Sequence, residues 1–154
     1  MGRGAGVTVP FIILERLSDF SERTRLKSGK NIFLLETSCP EDGYAKLSCR
    51  QACSVESTAL MNPSLSVNLL YLSPSPPSDP ANLVIQQLLE YSKVHVNRIK
   101  VADYMRDTPI ERWYFSGIIN TSNWPNTHMS DVLRYLTLWK FGGIYLDLDV
   151  IVTT

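Results

Sequence analysis

Near the end of the chain two aspartates, Asp147 and Asp149, stand one residue apart behind the apolar run Ile144-Tyr145-Leu146. In an extended strand alternate side chains share a face, so both carboxylates would project together, about one strand repeat apart, while Leu148 turns into the core. Two carboxylates in one small volume repel, and one must take up a proton unless a cation intervenes. A divalent ion removes that conflict and offers a positive surface to a phosphorylated ligand. An all-oxygen donor set favours Mn²⁺ or Mg²⁺ over zinc. By itself a D-x-D triplet is a weak signal, since two solvated acids at a strand end have the same pattern.

The elements in front of the pair strengthen it. Ser130 has the type and place of a helix cap, which would set Asp131 where the helix dipole favours negative charge. Asp131 and Arg134, three apart, share a helix face. Val132, Leu136 and Trp139 follow the spacing of a core stripe, leaving the Asp131/Arg134 edge to line a cleft. Gly142 supplies a left-handed helix stop, and Gly143 a tight turn into the strand.

Upstream, strands and helices alternate. Residues 31–36, 67–72 and 94–99 read as strands, the last with polar alternation that turns His95 to the surface. Residues 51–61 read as a helix stopped by Asn62-Pro63, and 81–92 as another. Residues 101–106 and 110–115 read as helical turns broken by Pro109. The proline-rich stretch 73–80 reads as an exposed loop inside one domain. Strands separated by helices predict an α/β fold, a mostly parallel sheet with its cleft at the strand carboxyl ends.

With 154 residues, 44% of them hydrophobic, the chain can bury one core. Fifteen basic residues balance fifteen acidic ones, so no charge excess draws it to nucleic acid or an anionic membrane. Residues 7–14 are apolar but too short to span a bilayer, and Glu15 and Arg16 follow.

The run SDVLRYLTLWKFGGIYLDLDVIV, from Ser130 to Val152, resembles the signature of glycosyltransferase family 32, the sugar-binding D-x-D family. Three further segments resemble its α-1,4-galactosyltransferase and α-1,4-N-acetylglucosaminyltransferase branch: NIFLLETS (31–38), CSVESTA (53–59) and RDTPIERWY (106–114). The resemblance implies a GT-A-like nucleotide-sugar-binding fold whose carboxyl-terminal half is absent from this chain. Residues 31–154 would form the donor-binding part, behind a poorly ordered amino-terminal extension, 1–30. By position, Asp147 and Asp149 would engage Mn²⁺, with Mg²⁺ as the alternative, and the diphosphate of a UDP-sugar. Asp131 and Arg134 would hydrogen-bond the donor sugar, and the nucleoside would lie near Glu36 and Thr37. The implied reaction moves a hexose, galactose favoured over N-acetylglucosamine, to a terminal galactose of a glycolipid such as lactosylceramide, with retention of configuration. The implied location is the Golgi lumen or membrane, reached through an anchor that this chain does not show.

Two alternatives come from other classes. One is a non-catalytic UDP-sugar or glycan-binding module. The other is a haloacid dehalogenase-type phosphatase, whose first aspartate is a nucleophile, but which also needs a lysine and acids downstream where only five residues follow Asp149. Cys39, Cys49 and Cys53 lack zinc-site spacing; in an oxidising lumen Cys39 could pair with either of the others, and buried free thiols are the other reading. Asn120-Thr121-Ser122 forms a glycosylation sequon. Glu56 could reach the donor, or be an exposed helix acid or make a core-edge hydrogen bond, and His128 could meet a phosphate or be a solvated loop side chain.

Overall fold

A computed structural model describes residues 17–19, 26, 29–38, 47–72 and 83–153. The proline-rich stretch, Cys39 and most of the expected amino-terminal extension lie outside the described residues. In chain order the elements are β1 (Leu17–Asp19), β2 (Asn31–Glu36), α1 (Cys49–Met61), β3 (Ser66–Leu72), α2 (Leu83–Leu89), β4 (Val94–Ile99), α3 (Val101–Met105), α4 (Glu111–Phe115), a 3-10 turn (Ile118–Thr121), α5 (Pro125–Phe141) and β5 (Ile144–Tyr145).

All strand pairs are parallel, in the order β1-β4-β3-β2-β5. Every residue of β2 is buried, because helices cover both faces of a parallel sheet and an apolar run is what such a strand requires. Ile32, Leu34, Val67, Leu69 and Val96 pack on one face against Val55 and Ala59 of α1 and Ile85 and Leu88 of α2. Phe33, Leu35, Leu70 and Ile99 pack on the other against Tyr104 and Met105 of α3 and Leu133 and Leu136 of α5. Since β4 lies between β1 and β3, its polar alternation does not reach water: Asn97 and Arg98 are buried and His95 is half-buried.

Three expectations about helices change. The first helix begins at Cys49, two residues earlier than its periodicity predicts, because Ser48 and Gln51 form a reciprocal capping box. The second runs only from Leu83 to Leu89, after which the chain turns through residues 90–93 into β4. The last begins at Pro125, so Ser130 is not its cap but a buried residue well inside it. Proline at the first helical position was the available signal, since its missing N–H is one the helix start cannot use. The core stripe shifts with it: Ser130, Leu133, Leu136 and Thr137 are buried, whereas Trp139 is 59% exposed.

The step from α5 to β5 depends on two glycines of positive φ, Gly142 at 62° and Gly143 at 98°. A Cβ on Gly143 would stand 2.4 Å from the Asn31 carbonyl oxygen at the start of β2. Only a hydrogen fits there, so the turn can lie against the central strand and deliver β5 beside it. Gly143→Ala should lower unfolding free energy by about 3 kcal/mol or more, through backbone clash and unfavourable φ together. Gly29→Ala, at φ 73° with nothing within 4 Å, should cost only about 1 kcal/mol. Urea denaturation followed by circular dichroism measures both; equal losses would show that the Asn31 contact is unimportant.

Candidate functional site

The run β2-α1-β3-α2-β4 steps across the sheet in one direction, while β5 joins β2 on its other side. The carboxyl end of β2 is therefore the point where the strand order reverses, the usual place for a ligand crevice in an open parallel sheet. A hollow of about 360 Å³ opens there. Leu35, Glu36 and Thr37 line it from the end of β2, Arg50 and Gln51 from the first turn of α1, Ser130 and Arg134 from α5, and Asp147, Leu148 and Asp149 from the segment after β5.

That segment is a turn and not the strand expected from alternation. After β5 ends at Tyr145, Leu146 N–H still donates to the Phe33 carbonyl (2.9 Å), and Val150 N–H then donates back to the Asp147 carbonyl (3.2 Å). Asp147 and Asp149 reach the same hollow by this turn, with Leu148 buried between them as expected. Helix α1 holds the turn from behind. Ser54 Oγ donates to the Val150 carbonyl (2.6 Å) and Ser57 Oγ accepts from Val152 N–H (3.2 Å).

Arg134 is the hub of the charges. Its Nη1 lies 3.3 Å from Asp131 Oδ1 and its Nη2 3.3 Å from Asp147 Oδ1, and Nη2 also donates to Ser130 Oγ at 3.4 Å. The guanidinium sits 5.4 Å from the centroid of the Tyr145 ring. Tyr145 OH in turn donates to Asp147 Oδ1 at 2.9 Å. Burial first, then that hydrogen bond, pushes the Tyr145 phenol well above the ordinary tyrosine range, so it stays protonated and remains a donor. Buried Arg134 Nε has no partner among the described residues, which leaves one N–H for a ligand or water oxygen. Asp149 is exposed and has no hydrogen-bond or ion-pair partner among the described residues.

Arg134, Asp147 and Asp149 thus meet in one hollow, while Asp131 stands behind Arg134 as its ion-pair partner and is not part of the lining. Glu36 is buried and held by Gln51 Nε2 and by the backbone and side chain of Ser38. Arg50, Gln51, Ser54 and Tyr145 escaped the sequence reading; only Ser48/Gln51, a capping box, carried a local signal. Glu56 lies elsewhere, accepting from the OH of Tyr91 in the turn after α2. His128 is exposed in the first turn of α5, paired with Ser122 Oγ at 2.8 Å. Cys49 and Cys53 are exposed free thiols, so the buried-thiol reading does not hold.

The charge balance bears on metal binding. Three carboxylates in the lining, Glu36, Asp147 and Asp149, face two guanidiniums, Arg50 and Arg134. Such a hollow repels a bare diphosphate and accepts one that arrives with a divalent cation. Among the described residues no three His, Cys, Asp or Glu side chains form a metal cage. Two aspartates with an open remainder fit an ion that keeps waters or takes phosphate oxygens, as Mg²⁺-like ions do.

Comparison with known proteins agrees with this geometry. The family described as "Glycosyltransferase sugar-binding region containing DXD motif" matches residues 37–154. The chain belongs to this family, the D-x-D glycosyltransferases of family 32. It is 35% identical over 130 residues to lactosylceramide 4-alpha-galactosyltransferase of Rattus norvegicus, covering 83% of this chain and 35% of that protein. It is also 35% identical over 107 residues to alpha-1,4-N-acetylglucosaminyltransferase of Homo sapiens, covering 65% of this chain and 31% of that one. The chain spans about a third of the length of these curated relatives. The solved structure of PaToxG glycosyltransferase is similar with a TM-score of 0.53 at 24% identity, over 79% of this chain and 42% of that one. The fold is accordingly GT-A-like. Enzymes of the D-x-D family generally use a divalent metal.

Ser54→Ala should loosen the turn by removing the hydrogen bond to the partly buried Val150 carbonyl, at a cost of about 1 kcal/mol. Equilibrium urea unfolding reads this directly, and an unchanged midpoint would show that α1 does not hold the D-x-D segment.

Proposed function

We propose that residues 31–154 are the donor-binding part of a UDP-sugar-dependent hexosyltransferase that moves galactose to a terminal galactose of a glycolipid such as lactosylceramide, with retention of configuration. The observation that carries this reading is the convergence of Asp147, Asp149 and Arg134 on one hollow at the sheet's switch point. Family membership supports hexosyl transfer, and the names of the relatives support galactose as donor sugar and a lactosyl lipid as acceptor. It also sets aside a phosphatase. The proposed location is the Golgi lumen. Among the described residues no helix is long and apolar enough to cross a membrane.

In this reading Asp147 and Asp149 hold Mn²⁺, with Mg²⁺ able to replace it. When bound, the ion supplies positive charge against the diphosphate that leaves with the nucleotide. Arg50, at the amino end of a 13-residue helix, adds positive charge to the lining. Arg134 takes the donor sugar, its guanidinium donating to hydroxyl oxygens in a fixed fork, while Asp131, outside the lining, orients that guanidinium through their ion pair. Tyr145 is the positioning residue, holding Asp147 in place through its phenol. The nucleoside lies toward Glu36 and Thr37.

Asp149→Asn should abolish Mn²⁺-dependent UDP binding in calorimetry, and EDTA should do the same to the unmodified chain. Undiminished affinity in either case removes the metal assignment. Arg134→Ala should leave UDP affinity within about threefold while weakening UDP-galactose about tenfold or more, the worth of one or two charge-assisted hydrogen bonds. Equal loss of both ligands would make Arg134 a purely structural residue. UDP binding without transfer from UDP-galactose to lactose would favour the non-catalytic module over the enzyme.

A further inference from the structure

A second hollow, of about 520 Å³, lies at the amino end of the same helix, where the 3-10 turn runs into α5. Trp113, Ile118, Thr121, Asn123, Trp124 and His128 are among its lining residues. Its chemistry differs from that of the donor hollow. No carboxylate, lysine or arginine lines it, whereas five charged side chains line the other. Trp124 is 69% exposed and Ile118 52% exposed, so two large apolar side chains face water together. Neither indole N–H of Trp113 or Trp124, nor the Asn123 amide, has a partner among the described residues. Aromatic faces with unspent neutral donors at their edge suit a ligand with one apolar face and a rim of hydroxyls, which is a neutral hexose ring.

Its place in the fold supplies the second argument. The chain leaves β4 at the carboxyl edge of the sheet and must enter β5 at the amino edge, so α5 runs back across the layer and begins at the carboxyl edge. His128 and Arg134 are six residues apart on that helix, about 9 Å along its axis and about 120° around it, so the two hollows open on adjoining sides of one helix. We propose that this hollow is the acceptor subsite, holding the non-reducing end of a neutral, galactose-terminated glycan on Trp124 and Trp113. The assignment rests on the donor reading above, because an acceptor needs a donor beside it.

The chain has three tryptophans, Trp113, Trp124 and Trp139, and only the first two line the hollow. Their indole N–H signals in nitrogen-15 NMR therefore report the site with an internal control. Methyl β-lactoside, titrated to about 50 mM, should shift Trp113 and Trp124 and leave Trp139 in place. Trp124→Ala should weaken lactoside binding about fivefold or more, and Trp124→Phe by no more than about twofold, with UDP–Mg²⁺ affinity unchanged in both. The proposal is overturned if neither indole moves, if Trp139 moves equally, or if Trp124→Ala leaves the lactoside affinity as it was. UDP binding without any lactoside response sinks this inference alone. Lactoside binding at Trp124 in a chain that does not bind UDP overturns the donor reading and the acceptor role with it.

Discussion

Two like charges stay on one hollow only when the backbone that carries them cannot relax away, and the turn from Asp147 to Val150 is held from three sides. Leu148 is buried in the core, α1 grips the following carbonyl and N–H through Ser54 and Ser57, and the β5–β2 ladder continues through Leu146 to Phe33. The aspartates are then treated differently. Asp147 is engaged by Arg134 and Tyr145, while Asp149 is exposed with its oxygens unspent among the described residues. At a third to a half exposure, the Arg134–Asp147 pair contributes under about 1 kcal/mol, so its importance lies in orientation and not in stability.

The same constraint reaches through the sheet. β2 can be central only because α5 returns on one side and α1 on the other, and because Gly143 lets the incoming chain touch the Asn31 carbonyl. That contact sets β5 beside β2, which makes the end of β2 a switch point and brings Glu36, from a strand over one hundred residues upstream, into the same hollow as Asp147. Glu36 meets Gln51 and Ser38 there, so its buried charge is hydrogen-bonded and not left bare.

Helix α5 divides two kinds of surface. Toward the sheet edge at Ser130 and Arg134 it meets charged walls suited to a nucleotide sugar and its cation; at its first turn it meets neutral aromatic walls. In the proposed transfer a highly charged donor meets a neutral acceptor, and a separation of charged and neutral side chains along one helix suits that division. The relatives are about three times longer than this chain, so these two surfaces belong to a part of the family's architecture.

Local physics made much of this visible in the residues themselves. Buried parallel strands must be apolar on both faces, so NIFLLE and SVNLLYL announce themselves, and the double glycine announces a turn. The three-residue spacing of Asp131 and Arg134 placed them on one helix face, where they form an ion pair. Other features depend on contacts that no local pattern encodes. Ser130 and Asp131 look like a helix start, yet Pro125 begins the helix and the rotation of its buried face leaves Trp139 in water. Alternation suggested a strand under the aspartates, but β5 stops after two residues because the chain turns away toward α1. Tertiary structure alone decided that Arg50 and Glu36 share the hollow, since spatial proximity across a crossover is set by strand order, and strand order is a property of packing and not of any short segment.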